Sequence, residues 1–158
     1  MTDEELKLFK EKPEIEYKIK ETGEKISLDL IKKIILLYQE RLKKLSEIAE
    51  LTDFFFKENL AYEKSLLKWD EMTEREIKES LEKSEKILDK IKEGEWNRET
   101  LESVLMAETE KMGDRGKLLW PLRVALTGKE ASAGPFEIAE TLGKEKTLKR
   151  VKRARQLL

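Results

Sequence analysis

A chain of 158 residues is long enough to bury about two-thirds of its unfolded surface, so a packed core is within reach. It has no cysteine and no histidine, which excludes disulfides, thiol nucleophiles and thiolate metal sites and removes the commonest general base and metal ligand. The net charge of −1 hides a division: from Lys111 to Leu158 twelve Lys and Arg stand against five acids, a net +7, leaving −8 on the first 110 residues.

A basic end on an acidic body is the asymmetry of a chain that meets a polyanion at one end. A C-terminal helix with a solvated basic face gives the same count. The 34 Asp and Glu read as solvated faces rather than as paired catalysts, so no catalytic residue and no metal site is assigned, and the chain reads as a binding module rather than a self-sufficient enzyme. No apolar run approaches the roughly 20 residues of a membrane span, and Met1-Thr2-Asp3-Glu4-Glu5 is acidic where a signal peptide is basic and then apolar. The expectation is a cytoplasmic chain with no membrane partner.

In chain order, Pro13 and Gly23 interrupt the polar first 26 residues, which predicts a short helix near Thr2–Lys10 and then irregular or weakly extended backbone. Ser27 is the candidate N-cap of the next helix. After it Leu30, Ile31, Ile34, Ile35, Tyr38, Leu42, Leu45 and Ile48 follow a three-and-four spacing that predicts one long amphipathic helix. Phe54-Phe55-Phe56 cannot share one helix face. Core packing at the end of a bundle is the favoured reading over a base-stacking platform, because only Lys57 adjoins the run.

Thr73-Glu74-Arg75-Glu76 has the capping-box pattern, and Ile77, Leu81, Ile87, Leu88 and Ile91 carry a helix to a stop at Gly94. Asn97 caps the next helix, which bears Leu101, Val104, Leu105 and Met112 and closes at Gly113. Three short helices follow, about Gly116–Thr127, Pro135–Leu142 and Glu145–Gln156, each preceded or ended by glycine or proline. The fold expected is all-α, with a subdomain boundary near Gly94 to Asn97 dividing residues 1–95, including the irregular segment 1–26, from residues 96–158.

Within Leu118-Leu119-Trp120-Pro121-Leu122-Arg123-Val124-Ala125-Leu126-Thr127-Gly128 one arginine stands among mostly apolar residues, where desolvating it is costly without a partner. That partner is either a carboxylate such as Glu137, or solvent reached by snorkelling, or an anion or base from another molecule.

The wording from Arg115 to Lys129, then Ser132-Ala133-Gly134-Pro135-Phe136-Glu137-Ile138, then Leu142-Gly143-Lys144-Glu145 and a basic terminal helix resembles the C-terminal anticodon-binding region of bacterial-type glutamyl-tRNA synthetase. The family's pattern is a Pro-Leu-Arg-x-Ala-Leu-Thr-Gly helix, a Ser-Pro loop, a Phe-Glu-Ile helix and Leu-Gly-Lys-Glu. Tyr38 to Ile48 followed by Phe54-Phe55-Phe56 resembles an earlier helix of the same family, so the likeness covers about residues 27 to 158. The catalytic half is missing, since its histidine motif cannot exist here and no Lys-x-Ser-Lys loop sits in a nucleotide-binding context.

The resemblance implies a helical cage of two small subdomains that holds the anticodon stem-loop of glutamate tRNA, in a monomer attached to a catalytic domain that uses ATP and magnesium; no cofactor is expected in this chain. It further implies that Arg123 reads a splayed-out anticodon base. Thr127 and Ser132 would belong to that site, with Pro135 and Phe136 shaping the wall, and Arg41 would contact the third anticodon base. Lys144, Lys146, Arg150 and Arg153 would hold phosphates. Ala133 occupies a place where the family often has proline, so the path of the loop from Lys129 to Gly134 departs from the family's.

Overall fold

Ser27 starts the first helix as its side chain suggests: the hydroxyl accepts the Leu30 N–H at 3.1 Å, satisfying a donor that the first turn would otherwise leave free. The computed structural model describes residues 17–19 and 22–158; the helix expected near Thr2–Lys10 lies outside them. Before Ser27 a two-residue strand, β1 (Tyr17–Lys18), pairs antiparallel with β2 (Lys25–Ile26) in the register Tyr17↔Ile26 and Lys18↔Lys25.

The helix from Ser27 is shorter than its apolar spacing predicts. Helix α1 (Leu28–Tyr38) passes into one 3-10 turn at Gln39–Arg41, and Leu42 is extended (φ −78°, ψ 126°). The cause lies in Glu47, whose carboxylate accepts the backbone N–H groups of Lys43 and Lys44 at 3.1 and 3.4 Å. Those amides cannot then continue the i to i−4 ladder. Leu45 is left 85% exposed, although its spacing matches the buried face. Helix α2 (Ile48–Thr52) and a 3-10 turn at Asp53–Phe56 follow, and Phe54 and Phe55 are buried there as core.

The remaining helices begin and end close to their punctuation, except that the helix after Thr73 stops at Asp89 rather than at Gly94, which lies in a separate 3-10 turn at Glu93–Glu95. In α3 (Glu74–Asp89) Thr73 and Glu76 close the capping box. In α4 (Arg98–Met112) Asn97 accepts the Thr100 N–H, and Gly113 ends the helix in the left-handed region at φ 74°, which only glycine enters at no steric cost. Helix α5 (Arg115–Thr127) is capped by Asp114 and ended by Gly128; α6 (Pro135–Leu142) has proline in its first turn; and α7 (Lys144–Gln156) follows Gly143.

Helix α5 is the central element: Leu118, Leu122, Val124 and Leu126 are fully buried. It packs against α3, α4, α6 and α7, and α3 packs along α7. One apolar cluster runs from Ile34 and Tyr38 through Leu81, Leu105 and Leu122 to Val151, crossing the sequence position 95/96 of the expected boundary. Packing α1 and the Asp53–Phe56 turn near α5 and α6 brings residues 38–41 beside the loop 129–134.

Candidate nucleic-acid interface

Arg123 lies near the end of α5, half-buried, three residues after Trp120 on the same face. Its guanidinium carbon sits 4.7 Å from the centroid of the Trp120 ring, a cation–π distance. Trp120 is fixed in turn by an N–H bond to the Leu66 carbonyl at 2.9 Å and by the Trp69 ring, 5.4 Å away between centroids.

The partner of Arg123 within the chain is not Glu137, whose carboxylate lies 3.0 Å from Arg98 Nε. Nη1 donates instead to Ser132 Oγ and Nη2 to the Glu130 carbonyl, each at 2.8 Å. A guanidinium carries five N–H groups in one plane, and those beyond these two bonds are uncommitted among the described residues. Burial pulls the Arg123 pKa down, the Tyr38 phenol opposes that shift, and Arg41 adds to it. Among the described residues no carboxylate is bonded to Arg123 to offset these positive charges. Arg41, on the 3-10 turn after α1, is exposed and has no hydrogen-bond or ion-pair partner among the described residues.

The loop 129–134 has a definite path. The Lys129 amide donates to Thr127 Oγ at 3.1 Å, and the Lys129 ammonium reaches the Glu50 carbonyl at 2.8 Å and Asp53 Oδ1 at 2.9 Å. Burial would raise the Asp53 pKa, but hydrogen bonds from Lys129 and Lys57 outweigh it and hold the carboxyl below its ordinary value. A lowered carboxyl pKa contributes stability above the unfolded value that is lost as pH falls through the folded one, so acidification loosens this tie. The Ser132 hydroxyl, while accepting from Arg123, donates to the Ala133 carbonyl, and the Ala133 N–H donates to the Tyr38 hydroxyl at 3.3 Å.

The structure gathers Arg123, Ser132 and Arg41 into one place, with half-buried Pro135 and Phe136 following at the start of α6. Thr127 is corrected: it is 2% exposed and its hydroxyl donates to the Arg123 carbonyl, so it shapes the helix end and offers no surface to a ligand. Trp120 and Lys129 lie within the segment from Trp120 to Phe136 where the sequence places the site, though with no assigned role, whereas Tyr38 lies outside it. The i, i+3 spacing of Trp120 and Arg123 carries a signal for Trp120; nothing in the sequence links Tyr38 to Ala133.

The basic helix needs a larger correction. Arg150 is 5% exposed, with Nη1 on the Leu126 carbonyl at 2.5 Å and Nη2 on the Phe54 and Lys57 carbonyls at 2.5 and 2.8 Å. It is a buried clamp, unavailable to phosphate. The Lys144 ammonium closes the end of α3 by donating to the Asp89 and Ile91 carbonyls at 2.8 and 2.7 Å, and Lys146 donates to the Phe55 carbonyl at 3.2 Å. Arg153 bonds Asn59 Oδ1 and is exposed. Of the four cations expected to hold phosphate, three are engaged with backbone carbonyls of the chain itself, because α7 lies where neighbouring elements leave carbonyls unpaired.

The chain matches the family model described as an anticodon binding domain over residues 6–155. It is 43% identical over 129 residues to the glutamate–tRNA ligase of Clostridium tetani, covering 78% of this chain and 25% of that protein. It is 34% identical over 134 residues to glutamate–tRNA ligase 1 of Caldanaerobacter subterraneus subsp. tengcongensis, covering 84% and 27%. In fold it is similar to a crystal structure of a glutamate tRNA ligase from Elizabethkingia meningosepticum, with a TM-score of 0.71 at 23% identity over 86% of this chain and 26% of that one. The chain thus spans about a quarter of the length of these relatives. Among the described residues no helix is long and apolar enough to cross a membrane. With the family model covering nearly its whole length, the chain belongs to the anticodon-binding domain family.

Proposed function

We propose that this chain is the anticodon-reading part of a glutamate–tRNA ligase: it holds the anticodon stem-loop of glutamate tRNA, while glutamate activation and transfer with ATP and magnesium belong to a catalytic part outside this chain, in a cytoplasmic, monomeric parent. The observation that carries this reading is the held but incompletely bonded guanidinium of Arg123. The guanidinium carbon lies over the Trp120 ring, and Ser132 and the Glu130 carbonyl fix two of its N–H groups. The remaining N–H groups can then donate to the edge of an unstacked base without first being ordered. Arg41, near it and without a partner among the described residues, serves a second base, the third of the anticodon. Pro135 and Phe136 form the wall, and Arg153 contacts a phosphate, which positions the RNA without reading it.

The test is a titration of labelled glutamate-tRNA anticodon stem-loop, with single-base variants of that loop, against the wild-type chain and Arg123→Ala. Loss of a two-bond base contact is expected to lower affinity for the cognate loop about tenfold or more and to flatten preference at one base. Arg153→Ala is expected to weaken all loops equally and to reduce the salt slope of binding by roughly 0.7 to 0.9. Equal binding of any RNA of the same length by wild type, with the salt dependence accounting for all the affinity, would replace this reading with a generic polyanion-binding module.

A further inference from the structure

The loop 129–134 is held from two directions. On one side Arg123 bonds Ser132 and the Glu130 carbonyl; a base that draws on the same guanidinium weakens those bonds, so they cannot alone keep the loop in place while a base is read. The other anchors do not involve Arg123. Lys129 ties the entry of the loop to Asp53 and the Glu50 carbonyl, and the Tyr38 hydroxyl accepts the Ala133 N–H at its exit.

The Tyr38 anchor is the more demanding of the two. Tyr38 is 1% exposed and Ala133 2% exposed, so water cannot replace the phenol as acceptor, and a buried amide without a partner is costly. The ring is seated edge-on against Phe54 and Phe55, at 6.4 and 6.2 Å between centroids, which leaves the hydroxyl little freedom to follow a displaced loop. Ala133 is bonded through its carbonyl to the Ser132 hydroxyl, the same oxygen that receives Arg123. Tyr38 also ends α1, three residues before Arg41.

We infer that Tyr38 is a positioning residue for base reading: its hydroxyl fixes Ala133, and through it Ser132, so that the Arg123 guanidinium keeps its orientation and the loop stays in register with the chain segment that carries Arg41. The inference rests on the reading of Arg123 as a base contact.

Tyr38→Phe removes one oxygen and keeps the ring, so the variant retains the packing of the aromatic cluster. Wild type, Y38F, R123A and the double variant are compared for binding to the glutamate-tRNA anticodon stem-loop and to loops with one anticodon base changed, with thermal denaturation of each protein alongside. Loss of one buried hydrogen bond in Y38F is expected to reduce preference for the cognate loop about fivefold. The reduction should fall at the base whose discrimination R123A also weakens, and there the double variant should discriminate no worse than R123A alone. A uniform loss for all loops that follows a lowered Tm overturns the assignment, since packing alone would account for it. Impaired discrimination in R123A with none in Y38F also overturns it, leaving the Arg123 reading intact. Unchanged discrimination in both variants, or no binding by wild type, overturns the reading on which it rests.

Discussion

Replacing Arg150 by alanine is expected to destabilise the chain by about 3–5 kcal/mol, the cost of breaking a buried charged network. The side chain emerges from α7, and its two terminal nitrogens satisfy the carbonyls of Leu126, Phe54 and Lys57. Leu126 lies in the last turn of α5, and Phe54 and Lys57 belong to the end of the Asp53–Phe56 turn. These are carbonyls that helical geometry leaves without an intrahelical partner, and the positive charge also complements the negative ends of both elements. Alanine strands all of them at once.

Methionine at position 150 is not expected to restore stability, although apolar residues often replace a buried ion pair without loss. Here the partners are backbone groups, which remain after the substitution and still need donors. Burial pulls the Arg150 pKa down to about 10, partly opposed by Tyr62. The guanidinium therefore stays charged in both folded and unfolded chains at neutral pH. A folded value below the unfolded one makes stability rise with pH only above about 10, so the cost of the substitution should be the same at pH 6 and pH 8. Urea denaturation of Arg150→Ala beside Lys152→Ala, an exposed cation on the same helix, checks this. Lys152→Ala should lie within about 0.5 kcal/mol of wild type; equal midpoints for the two variants would show that the clamp does not bear on stability.

Arg150 also shows what sequence can and cannot convey about this fold. Thr73, Asn97, Gly113 and Gly128 mark helix ends through bonds made within a few residues, and such local chemistry is legible in a sequence. The all-helical class follows from spacing in the same way, and the core role of Phe54 and Phe55 from the lack of interleaved cations around them. Lys144, Lys146 and Arg150 of α7 carried the right sign of charge, but their partners are backbone carbonyls 24 to 96 positions away. Charge counting assigns a cation to solvent or a polyanion by default and has no means of locating an unpaired carbonyl. The break after Tyr38 was hidden for a related reason: Leu42, Leu45 and Ile48 continue the apolar period, while Glu47 takes the amides that would have continued the helix. At the site, Arg123 stood out because an isolated guanidinium in an apolar run demands a partner. Tyr38 looked like one more core aromatic, and its hydroxyl acquires a role only once the loop 129–134 is folded against it.

Gly116→Ala is expected to destabilise the chain by about 2–3 kcal/mol, against the sign that helix propensity alone predicts. Alanine in place of glycine within a helix normally gains up to about 1 kcal/mol, and Gly116 lies in the first turn of α5 with no positive φ to protect. A Cβ at this position, however, would fall inside the indole ring of Trp69, well within the 3.0 Å that real Cβ contacts keep. Trp69 cannot withdraw freely. Its Nε1 donates to Asp114 Oδ2 at 3.3 Å, while the other oxygen of Asp114 caps α5 by accepting the Gly116 N–H at 2.8 Å. Its ring also packs on Trp120, the ring beneath Arg123. Overpacking at Gly116 thus displaces Trp69, loosens the cap, and passes along the tryptophan pair to the guanidinium. Two measurements separate this from a general loss of fold. Tryptophan fluorescence of the native variant should change, and Trp69→Leu, which makes room for the methyl, should recover part of the stability lost in Gly116→Ala, giving a coupling energy of about 1 kcal/mol or more in a double-mutant cycle. Additive effects of the two substitutions, or a Gly116→Ala chain at least as stable as wild type, would show that Trp69 is not held against α5 in the way that supports the platform under Arg123.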